Sequence, residues 1–352
     1  MTRPVHGGNL TWAAQLAGCS PGEILDFSAS INPLGPPKSA IAAIYENLSF
    51  LSNYPDPNYS QLRSSLSQFH QISPEWILPG NGSAELLTWA CWELSQQAVT
   101  YLITPAFSDY RRALTTFAAK VHQCPLNFWH EVRETSHQGG LIINNPHNPT
   151  GNLWRREEIL SYLEEFSLVV VDAAFMDFLE PSAQQSLVSV VQEYPNLVIL
   201  RSLTKFYSLP GLRLGYAIAH PERLKRWQNW RDPWPINVLA AAAGVAVLQD
   251  REFQQKTWKW LIEAKSELFQ GIASIPGLKP IQGAANFLLA ETEQPSTLLQ
   301  KELLQKHRIL IRDCLSFSEL GDKYFRVAVK LKEDNQRLIE VLDCLLPISL
   351  AP

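Results

Sequence analysis

A single lysine stands among small hydroxyl and apolar residues in SLTKFYSLPGLRLGY, residues 202–216, where Lys205 and Arg213 are the only charges. A solvated basic face would carry more charge and some acidic neighbours, so each cation faces either solvent singly or something anionic and buried. The amine of Lys205 can form a Schiff base with an aldehyde. The hydroxyls of Ser202 and Thr204 and the guanidinium of Arg213 suit a phosphate. Asp172 closes the apolar run LVVVD, and a carboxylate at the end of a buried strand needs a cationic partner, which a protonated pyridine nitrogen would provide. In PGNGSAELL, Gly82, Ser83 and Ala84 open a helical pattern, where free backbone N–H groups and the helix dipole favour an anion. With Phe107 of TPAFSDY as an aromatic platform, these groups together describe a site for pyridoxal 5'-phosphate.

Taken singly, most of these features also have ordinary readings. The glycine-serine-alanine stretch can simply begin a helix, Asp172 can be a helix cap, and Phe107 can be a core residue. NNPHNPTGN, residues 144–152, is more specific. Two prolines flank Asn148 and fix its backbone, and Thr150-Gly151 closes the turn, so one amide side chain is presented rigidly at a strand end.

The elements that must position these groups follow from the hydrophobic pattern. Short apolar runs at 99–104, 141–145, 168–172, 197–202 and 212–219 read as strands, with helical patterns around 83–97, 107–118, 155–165 and 183–193 between them. Continuous apolar strands separated by helices form a mostly parallel sheet covered on both faces. Ligands of such α/β sheets gather beyond the carboxyl ends of the strands. Asn144, Asn145, Asp172, Ser202 and Lys205 all fall at those ends. The last third changes character. A long helical region over about 236–275, a turn and strand in GLKPIQGAANFLLA, a helix at 296–307, HRILIRD, YFRVAVK and a helix at 333–346 make a smaller α+β unit. The expected organisation is an N-terminal segment over 1–48 packed with the small domain and the site, a large domain over 49–233 and a small domain over 234–352, with DPWPIN at the junction.

Composition narrows the class of partner. The 352 residues carry 30 Lys+Arg and 34 Asp+Glu, a formal net charge of −4, with no basic block, so neither nucleic acid nor an anionic membrane is an expected partner. Five scattered cysteines, Cys19, Cys91, Cys124, Cys314 and Cys344, form no CxxC pair, which points to no bound metal and fits a reducing compartment. The start, MTRPVHGGNLTW, has no apolar signal core, and the longest apolar run, VLAAAAGVAVL, is eleven residues, too short to span a bilayer. A soluble cytoplasmic protein is expected.

GNGSAELL, TPAF, NNPHNPTG, VVVDAAF and SLTKFYSLPGLRLGY, in this order and spacing over about residues 50–330, resemble the fold-type I, class I/II aminotransferase family of pyridoxal-phosphate enzymes. The resemblance implies a seven-stranded, mostly parallel sheet covered by helices, plus a smaller α+β domain. It implies that Lys205 carries the cofactor as a Schiff base and shuttles protons, and that Asp172 holds the ring nitrogen. Asn148 would bind the ring oxygen, and Phe107 would stack on the ring. Gly82, Ser83, Ala84, Ser202, Thr204 and Arg213 would cradle the phosphate. Tyr54, in NYPDPNY, would reach the cofactor phosphate of a neighbouring subunit, which implies a homodimer. One departure lies at Asp172-Ala173-Ala174-Phe175, where Phe175 lacks the hydroxyl that many transaminases place on the ring oxygen.

VHGGNLTWAAQLAG, ILDFSASINPLGPP, ILIRDC and FRVAVK resemble the branch of this family that decarboxylates threonine phosphate in cobalamin biosynthesis. By that resemblance His6, Gly7, Asn32 and Arg312 surround a substrate phosphate and Arg326 takes the substrate carboxylate. Glycine lets backbone N–H groups approach a phosphate closely. The neighbouring branch, the histidinol-phosphate aminotransferases, also binds a phosphorylated amine and is the alternative expectation. A non-catalytic regulator would need an effector module, and no basic helix-turn-helix segment is read in these residues.

Overall fold

The computed structural model describes residues 3–127 and 138–346, so the outermost ends of the expected first and last domains lie outside the described residues. Along the chain, helix α1 (Leu10–Ala17), the two-residue strand β1 (Leu25–Asp26), α2 (Lys38–Glu46) and α3 (Ser60–His70) precede the main sheet. That sheet contains β2 (Ile77–Asn81), β3 (Thr100–Thr104), β4 (Val121–Pro125), β5 (Gly140–Asn144), β6 (Leu168–Asp172), β7 (Leu197–Ser202) and β8 (Leu214–Ala219). Helices α4 (Gly82–Ser95), α5 (Ser108–Thr116), α6 (Arg156–Glu165) and α7 (Pro221–Trp230) accompany it. Then follow α8 (Val238–Gln249), α9 (Arg251–Ala273), β9 (Leu278–Ile281), β10 (Phe287–Thr292), α10 (Ser296–His307), β11 (Ile309–Leu310), β12 (Tyr324–Ala328) and α11 (Lys332–Leu345).

The seven-stranded sheet has the order β2-β8-β7-β6-β5-β3-β4. Strands β3 to β7 pair in parallel, and β8 runs antiparallel between β7 and β2. The period-2 alternation of a strand splits its side chains between two cores. Val169 and Val171 of β6 face one side with Ile143 and Ile199, while Leu168 and Val170 face the other with Ile142 and Val198. Both sides are sealed, which is why these strands read as unbroken apolar runs. A second sheet, β12-β10-β9, is antiparallel, and β1 pairs in parallel with β11, fastening the N-terminal segment to the last third of the chain.

Register brings the chemistry to one edge. Asn144 pairs with Asp172, Asp172 pairs with Leu200, and Ser202 pairs with Gly215 beside Leu214, which pairs with Asn81. The carboxyl ends of β3, β5, β6 and β7 therefore lie level with the end of β2 and the start of β8.

Several elements depart from the pattern read in the sequence. Strands β2 and β4 are the two sheet edges. Edge strands escape hydrophobic patterning, and Pro79 is tolerated in one because the edge leaves an N–H position unpaired. The helix expected at 183–193 is replaced by short 3-10 turns at Pro181–Ala183 and Val188–Val190. The expected helix over 236–275 is broken at Asp250, whose carboxylate accepts from Phe253 N at 3.0 Å and starts α9. Helices α1, α2, α3 and α7 had no counterpart in the pattern. No helix of the described residues is long and apolar enough to cross a membrane.

Candidate active site

Lys205 lies three residues beyond β7, with Nζ 3.4 Å from Ser202 Oγ and 5.3 Å from the centre of the Phe175 ring. Burial lowers its pKa, the Asp172 charge opposes that shift, and Arg213 and Arg326 add to it. A weakly protonated amine is what a Schiff-base nucleophile requires.

Asp172 ends β6 nearly buried. Its Oδ1 accepts from Ala174 N at 3.0 Å and its Oδ2 accepts from the hydroxyl of Tyr110 at 2.6 Å. Burial raises the carboxyl pKa, while the Tyr110 hydrogen bond and the Lys205 charge pull it down. Tyr110 was not singled out in the sequence. Its position three residues after Phe107, one turn into a helix, was the available signal.

The turn after β5 is held from all sides. Asn144 Nδ2 donates to Asp172 O at 2.9 Å, and Asn144 Oδ1 accepts from Asn148 N at 2.7 Å. Asn145 exchanges hydrogen bonds with Trp154, donating to its carbonyl at 3.1 Å and accepting from its N–H at 3.0 Å. The His147 ring lies 2.7 Å from Thr150 Oγ1. Asn148 is thereby fixed, its Oδ1 accepting from Arg326 Nη1, which leaves the donors of its Nδ2 without a partner among the described residues.

Beside Lys205, the first turn of α4 meets Arg213. Gly82 has φ of +72°, and a Cβ there would stand 2.7 Å from Arg213 Nη2. Gly215 on β8 lets Ser83 N approach the sheet, where any side chain would collide with it. Arg213 itself takes a left-handed backbone, φ 56°, and its Nη1 donates to Pro210 O at 3.0 Å. Ser202 Oγ lies 2.7 Å from Thr204 Oγ1. Helix N–H groups, two hydroxyls and a guanidinium thus converge on one corner, with the lysine next to it and a buried carboxylate on the next strand. These residues fit a pyridine aldehyde bearing a phosphate.

The outer wall comes from distant segments. Phe107 packs between the His6 ring, 5.5 Å away, and the Tyr110 ring, 5.6 Å away. Arg326 on β12 donates to Asn148 Oδ1 and, at 3.3 Å, to Ser28 O, and lies 4.8 Å from the Phe287 ring centre. Burial lowers its pKa to about 10. Its Nε is buried without a partner among the described residues. Arg312 donates to Pro4 O at 3.5 Å, to Val5 O and to Ser316 Oγ. A small cavity is lined by His6, Gly7, Gly8, Trp12, Ser28 and Arg312.

Two further residues singled out in the sequence lie outside this cluster. The Asn32 amide donates to Phe206 O at 2.8 Å and Thr257 Oγ1 at 2.9 Å and accepts from Leu34 N at 3.0 Å. Its backbone N–H donates to Lys205 O at 3.1 Å. With its amide engaged in this way, Asn32 braces the lysine turn. Tyr54 is 78% exposed and stacks on Trp234 at 4.3 Å, away from the site of its own chain.

Fold and site together define a fold-type I pyridoxal-phosphate enzyme, and pyridoxal 5'-phosphate is its cofactor. The chain belongs to the aminotransferase class I and II family, which it matches over residues 22–342. It is 37% identical over 350 residues to threonine-phosphate decarboxylase of Salmonella typhimurium, covering 96% of this chain and 95% of that one. A histidinol-phosphate aminotransferase of Symbiobacterium thermophilum is 33% identical over 332 residues, covering 91% and 90%. The solved L-threonine-O-3-phosphate decarboxylase of Porphyromonas gingivalis shares the fold, with a TM-score of 0.84 at 24% identity, over 92% of this chain and 99% of that one.

Proposed function

We propose that this enzyme decarboxylates L-threonine O-3-phosphate to (R)-1-amino-2-propanol phosphate and CO2, as a cytoplasmic step of cobalamin biosynthesis. The observation that carries this reading is the pair Arg312 and Arg326, adjacent in the site and each without a carboxylate partner among the described residues. Two separated cations match a small substrate with an anion at either end.

When bound, pyridoxal phosphate supplies the electron sink for the pair left behind by departing CO2. The chain's residues do the rest. Lys205 holds the cofactor and afterwards returns a proton to Cα. Asp172 holds the ring nitrogen, Asn148 donates its free Nδ2 to the ring oxygen, and Phe107 covers the ring. Gly82, Ser83, Ala84, Ser202, Thr204 and Arg213 hold the cofactor phosphate. Arg312, with His6 and the N–H groups around Gly7, takes the substrate phosphate, and Arg326 takes the carboxylate. Fixing both ends sets which Cα bond stands perpendicular to the ring, and orientation of this kind is worth several kcal/mol, roughly, of barrier difference. Arg326 already shares its N–H groups with Asn148 and Ser28, which loosens its hold on the carboxylate that must leave.

Residues 49–233 form the cofactor-binding domain in this reading, flanked by the 1–48 segment and a small domain over 234–352. The enzyme works as a homodimer. Tyr45, Phe50, Leu51 and Tyr54 are 71%, 50%, 61% and 78% exposed, an apolar surface of the kind that a partner covers. Tyr54 reaches from it to the second subunit's site.

Amino transfer from histidinol phosphate is the competing reading, and Phe175, with no hydroxyl beside Lys205, counts against it. Incubation of the holoenzyme with threonine phosphate and no oxo acid separates the two. CO2 release supports decarboxylation, and turnover that appears only when 2-oxoglutarate is added overturns it.

A further inference from the structure

Asp172 is held by two neutral donors, the Ala174 N–H on Oδ1 and the Tyr110 hydroxyl on Oδ2. A carboxylate accepts at several lone pairs, so both oxygens keep capacity toward the site. Lys205 is the nearby positive charge, and it is committed to carrying the cofactor. Tyr110 itself has little freedom. It lies one turn into α5, is 2% exposed and packs edge-on against Phe107 at 86°. Burial and the neighbouring carboxylate push its own pKa up, so it remains a donor wherever the protein is folded.

We propose that Tyr110 is a positioning residue for the cofactor ring: by donating to Asp172 Oδ2 it keeps the proton shared between Asp172 and the ring nitrogen on the nitrogen. The inference rests on the role proposed above for Asp172. Two arrangements of that proton compete, carboxylate with pyridinium or carboxylic acid with neutral pyridine. A low-dielectric site favours the neutral pair, since burial penalises both charges. A hydroxyl aimed at Oδ2 stabilises the carboxylate far more than the acid, and therefore stabilises the ion pair. Moving the proton from nitrogen to Asp172 leaves the ring uncharged and a poorer acceptor of electrons.

The test uses holoenzyme loaded with cofactor labelled with 15N in the ring, whose nitrogen resonance reports the ratio of protonated to neutral ring. Tyr110→Phe removes one oxygen and keeps the ring that packs on Phe107. It should lower that ratio about tenfold, the loss expected for one hydrogen bond to a charged group. A variant that melts at a lower temperature but keeps the wild-type nitrogen signal would show a merely structural hydroxyl and overturn the proposal. Should Tyr110→Phe not take up cofactor, replacement of Tyr110 by 3-fluorotyrosine carries the test. A stronger donor should hold the ratio at or above wild type, and a fall overturns the idea. Asp172→Asn measured alongside separates the two levels. If it leaves the nitrogen signal unchanged, Asp172 does not hold the ring and both readings fail together. If Asp172→Asn moves the signal and Tyr110→Phe does not, the Tyr110 proposal alone fails.

Discussion

Arg312 and Arg326 face each other across a single antiparallel bridge, the N–H of Arg312 donating to the Arg326 carbonyl at 3.0 Å and the reverse at 2.8 Å. Backbone pairing thus places two arginine residues side by side, both with pKa values lowered first by burial. Two like charges in one wall are costly unless anions arrive to pair with them. Their side chains diverge, Arg326 toward Asn148 and Arg312 toward the N-terminal segment, and in the function proposed above one bridge would serve two ends of a ligand.

From that divergence, truncating either arginine should have a distinct effect. A charge-assisted contact is worth ~1.5–3 kcal/mol, so each alanine variant should lose roughly tenfold or more in substrate use. Arg312→Ala should erase the preference for threonine phosphate over threonine and weaken inhibition by aminopropanol phosphate. Arg326→Ala should bind that inhibitor almost as wild type does, because it lacks a carboxylate. Equal weakening in both variants, or more in Arg326→Ala, shows that the two assignments are wrong.

Lys205→Ala should abolish both activity and the cofactor adduct trapped by borohydride, while the wild-type protein is yellow. Lys205 is the lysine whose amine lies over Phe175 and beside Ser202. Peptide mapping of the reduced adduct checks this, and an adduct on any other lysine rules it out.

Asp172→Asn should retain cofactor through the phosphate contacts of α4 and Arg213 yet lose most of its turnover. Cofactor content after gel filtration and the turnover number are the measurements. Turnover near wild type would reduce Asp172 to a cap for the Ala174 N–H.

His147, buried against Thr150 in the asparagine turn, has its pKa lowered to about 4 by burial. The unfolded chain takes up this proton near pH 6.5 and the folded chain only near 4. Its contribution is therefore fully present above about pH 6.5 and is lost as pH falls toward 4. At pH 5 the loss should be roughly 2 kcal/mol relative to pH 7. Chemical denaturation at the two values should show His147→Gln less pH-sensitive than wild type by about that amount. His70, lowered to about 3, adds its own share in both proteins and cancels in the comparison.

The α/β class, the mostly parallel sheet and the residues at its carboxyl edge were legible in the chain because they depend on local physics. Buried strands such as LVVVD and LVILRS must be apolar on both faces, and whatever polar residue ends them must lie at the edge. NNPHNPTG is rigid through its own prolines and amides, so its turn could be read without its surroundings. What stayed hidden depends on contacts between segments far apart in sequence. Tyr110 meets Asp172 across 62 residues, and Arg326 meets Ser28 across 298. The amide of Asn32 meets Phe206, Thr257 and Leu34, contacts that its own sequence context does not announce. Edge strand β4 carries too little buried surface to impose a pattern, and β2, though buried, spends two of its five positions on Pro79 and Gly80. Spacing along a chain specifies which groups sit at a strand end, whereas which donor reaches which acceptor is settled by the packing of whole elements, where each buried polar group must find a partner or cost free energy.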